Sequence, residues 1–435
     1  MSRLTREGCV ALDAADPLAA LRAAFDLDAA DARGDIYLDG NSLGPLPRAT
    51  AARVGQVLHE EWGRDLIRSW NTAGWITLAQ RIGDKIARLV GAGPGELVVA
   101  DSTSVNLYKA LVAALQLTTA GGPARRRLIL SERTNFPTDL YIAETAARER
   151  GFTLRLVEAE EVAGAIGTDT AVVLLTHVNY RTGRMHDMAA ITRAAHSAGA
   201  LVVWDLAHSA GALPVRLTGG EAADADADFA VGCGYKYLNG GPGAPAFIWM
   251  HPRHAARMDA EQLRQPLSGW LGHAAPFAFT PDYVPGAGIA RFVCGTPPVL
   301  SLAALECGVD TVLAAEPCGG LEALRRKSLA LTDLFIALVE ARAGGFGLTV
   351  ATPRDPGQRG SQVSLAIADG GYAVMQALIA RGVIGDFRAP DLLRFGFTPL
   401  YTRYVDVWDA VDRLVEVMAS GEWRAPRYAV RAAVT

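Results

Sequence analysis

Lysine is nearly absent from this chain of 435 residues: Lys85, Lys109, Lys236 and Lys327 are the whole complement, and arginine carries almost all the positive charge. Cysteine is sparse as well. The five cysteines (Cys9, Cys233, Cys294, Cys307, Cys318) are an odd number with no CxxC pair, so neither a disulfide framework nor a cysteine zinc site is indicated. The eight histidines show no HxxxH spacing, which argues against a metal hydrolase. The one dense basic run, Arg125-Arg126-Arg127, is short and reads as a solvated loop, and the net charge of −4 leaves no electrostatic footprint for nucleic acid. Long apolar runs are missing too. None reaches membrane-spanning length, and residues 1–7 lack the apolar core of a signal peptide, so a soluble cytoplasmic protein is expected. Asp224-Ala225-Asp226-Ala227-Asp228 reads as a solvated loop feeding a strand rather than a metal site.

What the chain does have is hydrophobic residues, half of the total, enough for a large core and more than one domain. Strand-like runs at 97–100, 128–131, 153–157, 171–176, 200–205, 228–232 and 246–250 alternate with helical patterns at 105–117, 138–150 and 188–198. That alternation predicts an α/β fold: a three-layer sandwich with a mostly parallel central sheet. Beyond residue 297 the pattern changes to helices at 299–313 and 321–343. Short strands near 348–350, 363–367 and 392–397, a helix at 372–381 and a terminal helix follow. Three parts are expected: an irregular, partly helical segment 1–75 joining the small domain, a large domain 76–297, and a small α+β domain 298–435.

Three of the four lysines lie in polar or amphipathic helical patterns, where a lysine is usually solvated. Lys236 lies instead in the apolar, glycine-dense stretch 229–243. Burial there lowers the amine pKa and favours the neutral nucleophile that Schiff-base chemistry needs. About thirty residues upstream, the buried strand 201–205 ends in Asp205. An acid for a pyridinium nitrogen and a lysine for an imine suggest pyridoxal phosphate (PLP). The plainer alternative is a lysine packing its stem under a loop while Asp205 caps a turn.

Ligands of open parallel sheets bind beyond the carboxyl ends of the strands. Thr103 and Ser104, at a helix start after strand 97–100, could hold a phosphate or simply cap the helix. Phe136, after the next strand, could stack on a planar ring whose edge Asp139 reaches; equally, Pro137-Thr138-Asp139 is an ordinary helix start. His208 follows Asp205 closely enough to orient it or to reach a phosphate.

The segments Tyr37-Leu38-Asp39-Gly40-Asn41-Ser42-Leu43-Gly44, Asp205-Leu206-Ala207-His208, Tyr235-Lys236-Tyr237-Leu238-Asn239, Gly269-Trp270-Leu271-Gly272-His273 and Cys294-Gly295-Thr296-Pro297-Pro298 resemble those of the kynureninases. These are PLP enzymes of fold type I, and the likeness runs in order from Tyr37 to Tyr401. It implies that Lys236 holds PLP, Asp205 pairs with the ring nitrogen, and Phe136 stacks on the ring with Asp139 and His208 around it. Thr103, Ser104, Tyr235, Trp270 and Thr296 would bind the phosphate, the last two reaching in from the second subunit of a homodimer with shared active sites. Asn41 and Ser42 would lie near the substrate, Arg394 would clamp its α-carboxylate, and Tyr235 would be a candidate acid.

The implied reaction is hydrolysis of L-kynurenine to anthranilate and L-alanine in tryptophan catabolism. Thr296 resembles the type preferring kynurenine over 3-hydroxykynurenine. The rival expectation is another fold-type I enzyme, a cysteine desulfurase or an aminotransferase. Against it, Gly234-Tyr235-Lys236 replaces the desulfurase Ser-x-His-Lys pattern, and the cysteines read as buried or structural. A third reading, a relic of the fold serving as a scaffold, would have no need of Lys236, Asp205 and Arg394 together.

Overall fold

Seven short apolar runs assemble into one sheet: β1 (Leu97–Val99), β2 (Leu128–Glu132), β3 (Thr153–Val157), β4 (Thr170–Thr176), β5 (Leu201–Asp205), β6 (Phe229–Gly232) and β7 (Phe247–Met250). The structure, a computed structural model, describes residues 4–119, 126–218, 225–261 and 263–432. The strand order is β1-β7-β6-β5-β4-β2-β3. Strand β7 runs antiparallel to both neighbours and every other pairing is parallel. All seven residues of β4 are buried, because helices such as Thr103–Thr119, Pro137–Arg150 and Met188–Ser197 cover the sheet. A strand walled on both faces needs continuous rather than alternating apolarity, which is why these runs were legible. The mostly parallel α/β sandwich is the fold expected.

A second, antiparallel sheet is built from Asp386–Arg388, Leu392–Gly396, Gln362–Ala366 and Thr349–Val350 in that spatial order. It packs with helices Gly320–Arg342, Gly371–Ala380 and Tyr404–Ser420. The pair Ile36–Tyr37 and Val383–Ile384 ties the N-terminal segment to this part. The two hydrophobic cores divide the chain differently from the boundary at 298. Leu302, Leu305, Val309 and Val312 of helix Val299–Leu313 belong to the first core, as do Ala323 and Leu324. The second core begins at Leu331, within a helix that serves both. The change of character at Pro297-Pro298 marks a helix start, not the end of a core. The N-terminal segment is also shared, with Leu18, Phe25 and Leu27 in the first core and Cys9, Ile36 and Leu38 in the second.

Two of the lysines expected in solvent are buried. Lys109 Nζ donates to an Asp101 carboxylate oxygen (2.7 Å) and to the Phe292 carbonyl (2.6 Å). Lys327 Nζ lies 2.7 Å from Asp16 Oδ2 and 2.7 Å from the Pro399 carbonyl. Two oxygen partners apiece compensate the desolvation, and helical periodicity carries no trace of them. The carboxylate run after residue 224 is also less solvated than expected. Asp228 is buried, accepting from Val202 N and Arg253 Nη2 and paired with His196 and His254. Asp224 and Arg125 lie outside the described residues. No helix among the described residues is long and apolar enough to cross a membrane.

Candidate active site

The parallel strands β4 and β5 end side by side, Thr176 opposite Asp205. Their register places the threonine hydroxyl 3.4 Å from Asp205 Oδ2 and 3.3 Å from Asp139 Oδ2, while it hydrogen-bonds Asn135 Oδ1. The other Asp205 oxygen accepts from Ala207 N at 2.8 Å. Burial raises the Asp205 carboxyl pKa, although the nearby Lys236 and these donors pull the other way. Asp139 is pushed well above the usual carboxylate range by burial and then by Asp205. Two buried acids thus lie on either side of one hydroxyl.

Lys236, on the loop after β6, lies close enough to Asp205 for its charge to act on that acid. Its Nζ lies 2.9 Å from His208 Nε2. Burial lowers the lysine pKa, and burial followed by the lysine charge drives His208 well below its ordinary value. The loop is held by close approach of the N-terminal turn. Gly44 N donates to the Tyr235 carbonyl at 2.8 Å, and a Cβ on Gly44 would stand 2.6 Å from the Lys236 carbonyl oxygen. Burial also raises the Tyr235 hydroxyl above its ordinary value, so it keeps its proton at neutral pH. Phe136 displays its ring at the strand end, partly exposed and edge-on to Tyr180 at 5.2 Å.

Arg394, fully buried on strand Leu392–Gly396, does not make the surface ion pair its residue type alone would suggest. Its Nε and Nη2 fork onto Asp386, Nη2 also donates to Ser42 Oγ (2.8 Å), and Nη1 donates to the Tyr180 carbonyl (2.6 Å). Ser42 Oγ donates in turn to Asp386 Oδ2 at 2.9 Å. Asn41 beside it is wholly buried, and neither of its amide atoms has a hydrogen-bond partner.

Trp270 packs edge-on against Trp70 (6.4 Å) and Phe277 (5.8 Å), lining an apolar cavity of about 550 Å³ with Ile67 and Phe279. Thr296 is exposed in the single chain. These two residues therefore join none of the contacts around Lys236 described above. Residues that sequence reasoning missed are Asn135, Thr176, Asp386, Arg388 and Tyr180. Thr176 had a signal, since it closes the strand lying beside Asp205's own. Asp386 and Arg388 had none, because they sit on a three-residue strand with no periodicity to read.

A search for relatives finds chains called kynureninase from Burkholderia pseudomallei strain 1106a, 56% identical over 434 residues, covering 99% of this chain and 100% of the relative. One from Pseudomonas fluorescens is 54% identical with the same coverage. Residues 324–414 match the family described as the kynureninase C-terminal domain. This chain belongs to the kynureninase family.

Among solved structures, a cysteine desulfurase from Thermococcus onnurineus NA1 superposes with a TM-score of 0.74 at 18% identity, covering 92% of this chain and 98% of its own. A mutant of the protein C-DES, with glycine covalently linked to its PLP cofactor, gives 0.74 at 16% identity, covering 88% and 96%. At such identities these neighbours share the fold alone. The kynureninase family is PLP-dependent, and this site fits the cofactor. Among the described residues neither acid makes an ion pair, so a ring nitrogen could supply one; burial lowers the lysine pKa, and the buried atoms Thr103 Oγ1 and His208 Nδ1 have no hydrogen-bond partner. The thiols differ in setting. Cys233, nearest to Lys236 in sequence, is buried with a raised pKa and directs its sulfur to the Ala207 carbonyl. The cysteines were expected to be buried or structural: Cys9 and Cys233 are buried, Cys294 and Cys307 half-buried, and Cys318 is exposed.

Proposed function

We propose that this chain hydrolyses L-kynurenine between Cβ and the ketone carbon, giving anthranilate and L-alanine. The observation that carries the reading is a buried amine whose pKa burial lowers, Lys236 on the loop after β6, close to the acid Asp205 at the end of β5. PLP, when bound, supplies the electron sink that makes a proton on the substrate α-carbon removable. Lys236 would hold its aldehyde carbon, Asp205 its ring nitrogen, Phe136 its face, and Thr103, Ser104 and Tyr235 its phosphate, with Asp139 and His208 around the ring.

The chain's own groups then divide the work. The Lys236 amine would serve as the base for the substrate α-proton, a role its lowered pKa suits. Arg394, its guanidinium plane fixed by Asp386, would meet the substrate α-carboxylate beside Ser42 and Asn41 with the Nη1 hydrogen left over from its bond to the Tyr180 carbonyl. Tyr235, protonated at neutral pH, donates a proton when the alanine half is released. Water adds to the ketone, and the aromatic half leaves as anthranilate.

The working unit in this reading is a homodimer in the cytoplasm, with Trp270 and Thr296 of each subunit completing the partner's phosphate site. L-Kynurenine is preferred to its 3-hydroxy derivative. Mixing the PLP-loaded protein with each substrate and following product fluorescence tests the proposal. Anthranilate should form with the intact lysine and be abolished in Lys236→Ala. Substantial turnover without the lysine, or none in a protein that retains bound PLP, would overturn it; faster turnover of the hydroxylated substrate would reverse the preference.

A further inference from the structure

We propose that Lys109 is a positioning residue that couples, through a single buried ammonium, the two phosphate-binding segments one chain contributes: Thr103 and Ser104 to its own site, and Trp270 and Thr296 to its partner's. The proposal rests on the reading of Thr103, Ser104 and Thr296 as phosphate ligands. Lys109 is fully buried on helix Thr103–Thr119, in a chain that uses lysine only four times. Its Nζ has one partner on each of two segments. The first is the carboxylate of Asp101, 2.7 Å away. Asp101 adopts a left-handed backbone (φ +47°), a conformation costly for a residue other than glycine, and its carbonyl accepts from Ala246 N at 2.8 Å. That bend turns the chain out of β1 and delivers Ser102, Thr103 and Ser104 to the helix start. Thr103 Oγ1 is left buried without a partner, as a hydroxyl waiting for an acceptor would be.

The second partner is the carbonyl of Phe292, 2.6 Å away. From there the chain runs through Cys294 to Thr296. Gly269, next to Trp270, packs so tightly on Cys294 that a Cβ would stand 1.8 Å from its carbonyl oxygen. Fixing Phe292 therefore fixes the segment carrying both Thr296 and, through Gly269, Trp270. A neutral side chain could fill the same volume, but it would leave the Phe292 carbonyl and the Asp101 carboxylate without their shared donor. Lys109 does not touch the reacting atoms; it sets where the hydroxyls and amides that meet the phosphate stand.

The experiment is a PLP titration of apoprotein, following the visible absorbance of the bound cofactor, for wild type, Lys109→Met and Lys109→Arg. Thermal melts of the apoproteins are recorded in parallel. Loss of a charge-assisted hydrogen bond of ordinary strength predicts that Lys109→Met binds PLP about tenfold more weakly, with partial recovery in Lys109→Arg. An unchanged PLP dissociation constant, with only a lower apoprotein melting temperature, would overturn the proposal and leave Lys109 a purely structural residue. If Lys109→Met does not fold, Asp101→Asn substitutes for it, with the same weakening expected and the same overturning result. The double variant Thr103→Val, Ser104→Ala separates the two levels. If it binds PLP as wild type does, the phosphate cup itself is misplaced and this inference falls with it. If it binds weakly while Lys109→Met does not, only the coupling role is refuted.

Discussion

At the scale of single residues, the buried acids Asp39 and Asp386 show how neighbouring arginines favour one carboxylate over another. Asp386 forks onto Arg394, and Arg388 Nη2 lies 2.6 Å from the same carboxylate, so it is held below the ordinary carboxylate range by Arg394 first. Asp39 is left with the opposite fate. Burial, and then the charge of Asp386, push it up to about 7, and its Oδ1 has no hydrogen-bond partner. Between its unfolded value near 4 and about 7, the folded protein holds a proton there that the unfolded chain has released. Stability from this group is therefore fully present below about pH 4 and is lost as the pH rises through 7. Replacing it with asparagine removes the titration, so Asp39→Asn should gain stability over wild type progressively from pH 5 to pH 8. Melting temperatures of both proteins across that range check this; a difference independent of pH would show that Asp39 is ionised throughout.

At the scale of elements, the turn 40–44 decides where the lysine loop sits. Gly44 lies against that loop with no room for a side chain: an added Cβ would meet Asn239 Oδ1 at 2.3 Å, the Lys236 carbonyl at 2.6 Å and Asn239 Cα at 2.7 Å. Backbone cannot yield as a flexible side chain can, so Gly44→Ala should cost about 1–3 kcal/mol as overpacking does. It should also lower kcat by displacing Lys236, while the melting temperature falls; full turnover in a folded variant would show that the loop accommodates the methyl. The Gly-Asn-Ser-Leu-Gly motif was legible in the sequence as a landmark, but its contact with the lysine loop, more than 190 residues on, was not. The same division runs through the fold. Strands β1 to β7 were readable because burial on both faces leaves continuous apolar runs, and Asp205 and Lys236 stood out because polar groups are rare beside them. Asp386, Arg388 and the buried heads of Lys109 and Lys327 were hidden, since each is defined by a partner supplied from a distant part of the chain. Arg394 was found only through its family motif; an arginine on a strand looks the same whether it meets solvent or, as here, a buried acid.

At the scale of the whole molecule, the single chain leaves apolar surface that a free-standing protein would cover. Ile67 is 75% exposed, Phe279 76% and Phe277 64%, and with Trp70 and Trp270 they line one continuous cavity. Ring contacts run from Trp75 through Trp70, Trp270 and Phe277 to Phe279 at centroid spacings of 5.8–6.4 Å. Phe279 on this face and Leu66, which precedes Ile67 in the chain, both adopt left-handed backbone conformations (φ 48° and 55°), a cost that persists only where contacts enforce it. Contiguous apolar surface of this kind marks an interaction site, and a stable dimer buries about 800 Å² per partner. The occupant in our reading is a second copy, which would bring the exposed Thr296 and the half-buried Trp270 to the neighbouring phosphate. Sedimentation should then find the wild type dimeric at micromolar concentration and Phe277→Ser, Phe279→Ser shifted toward monomer. If each site borrows from its partner as we propose, the double variant should lose PLP affinity in step with dimer dissociation, recovering both at higher protein concentration. A monomeric wild type, or a double variant that dissociates yet binds PLP undiminished, would mean that each chain builds its phosphate cup alone.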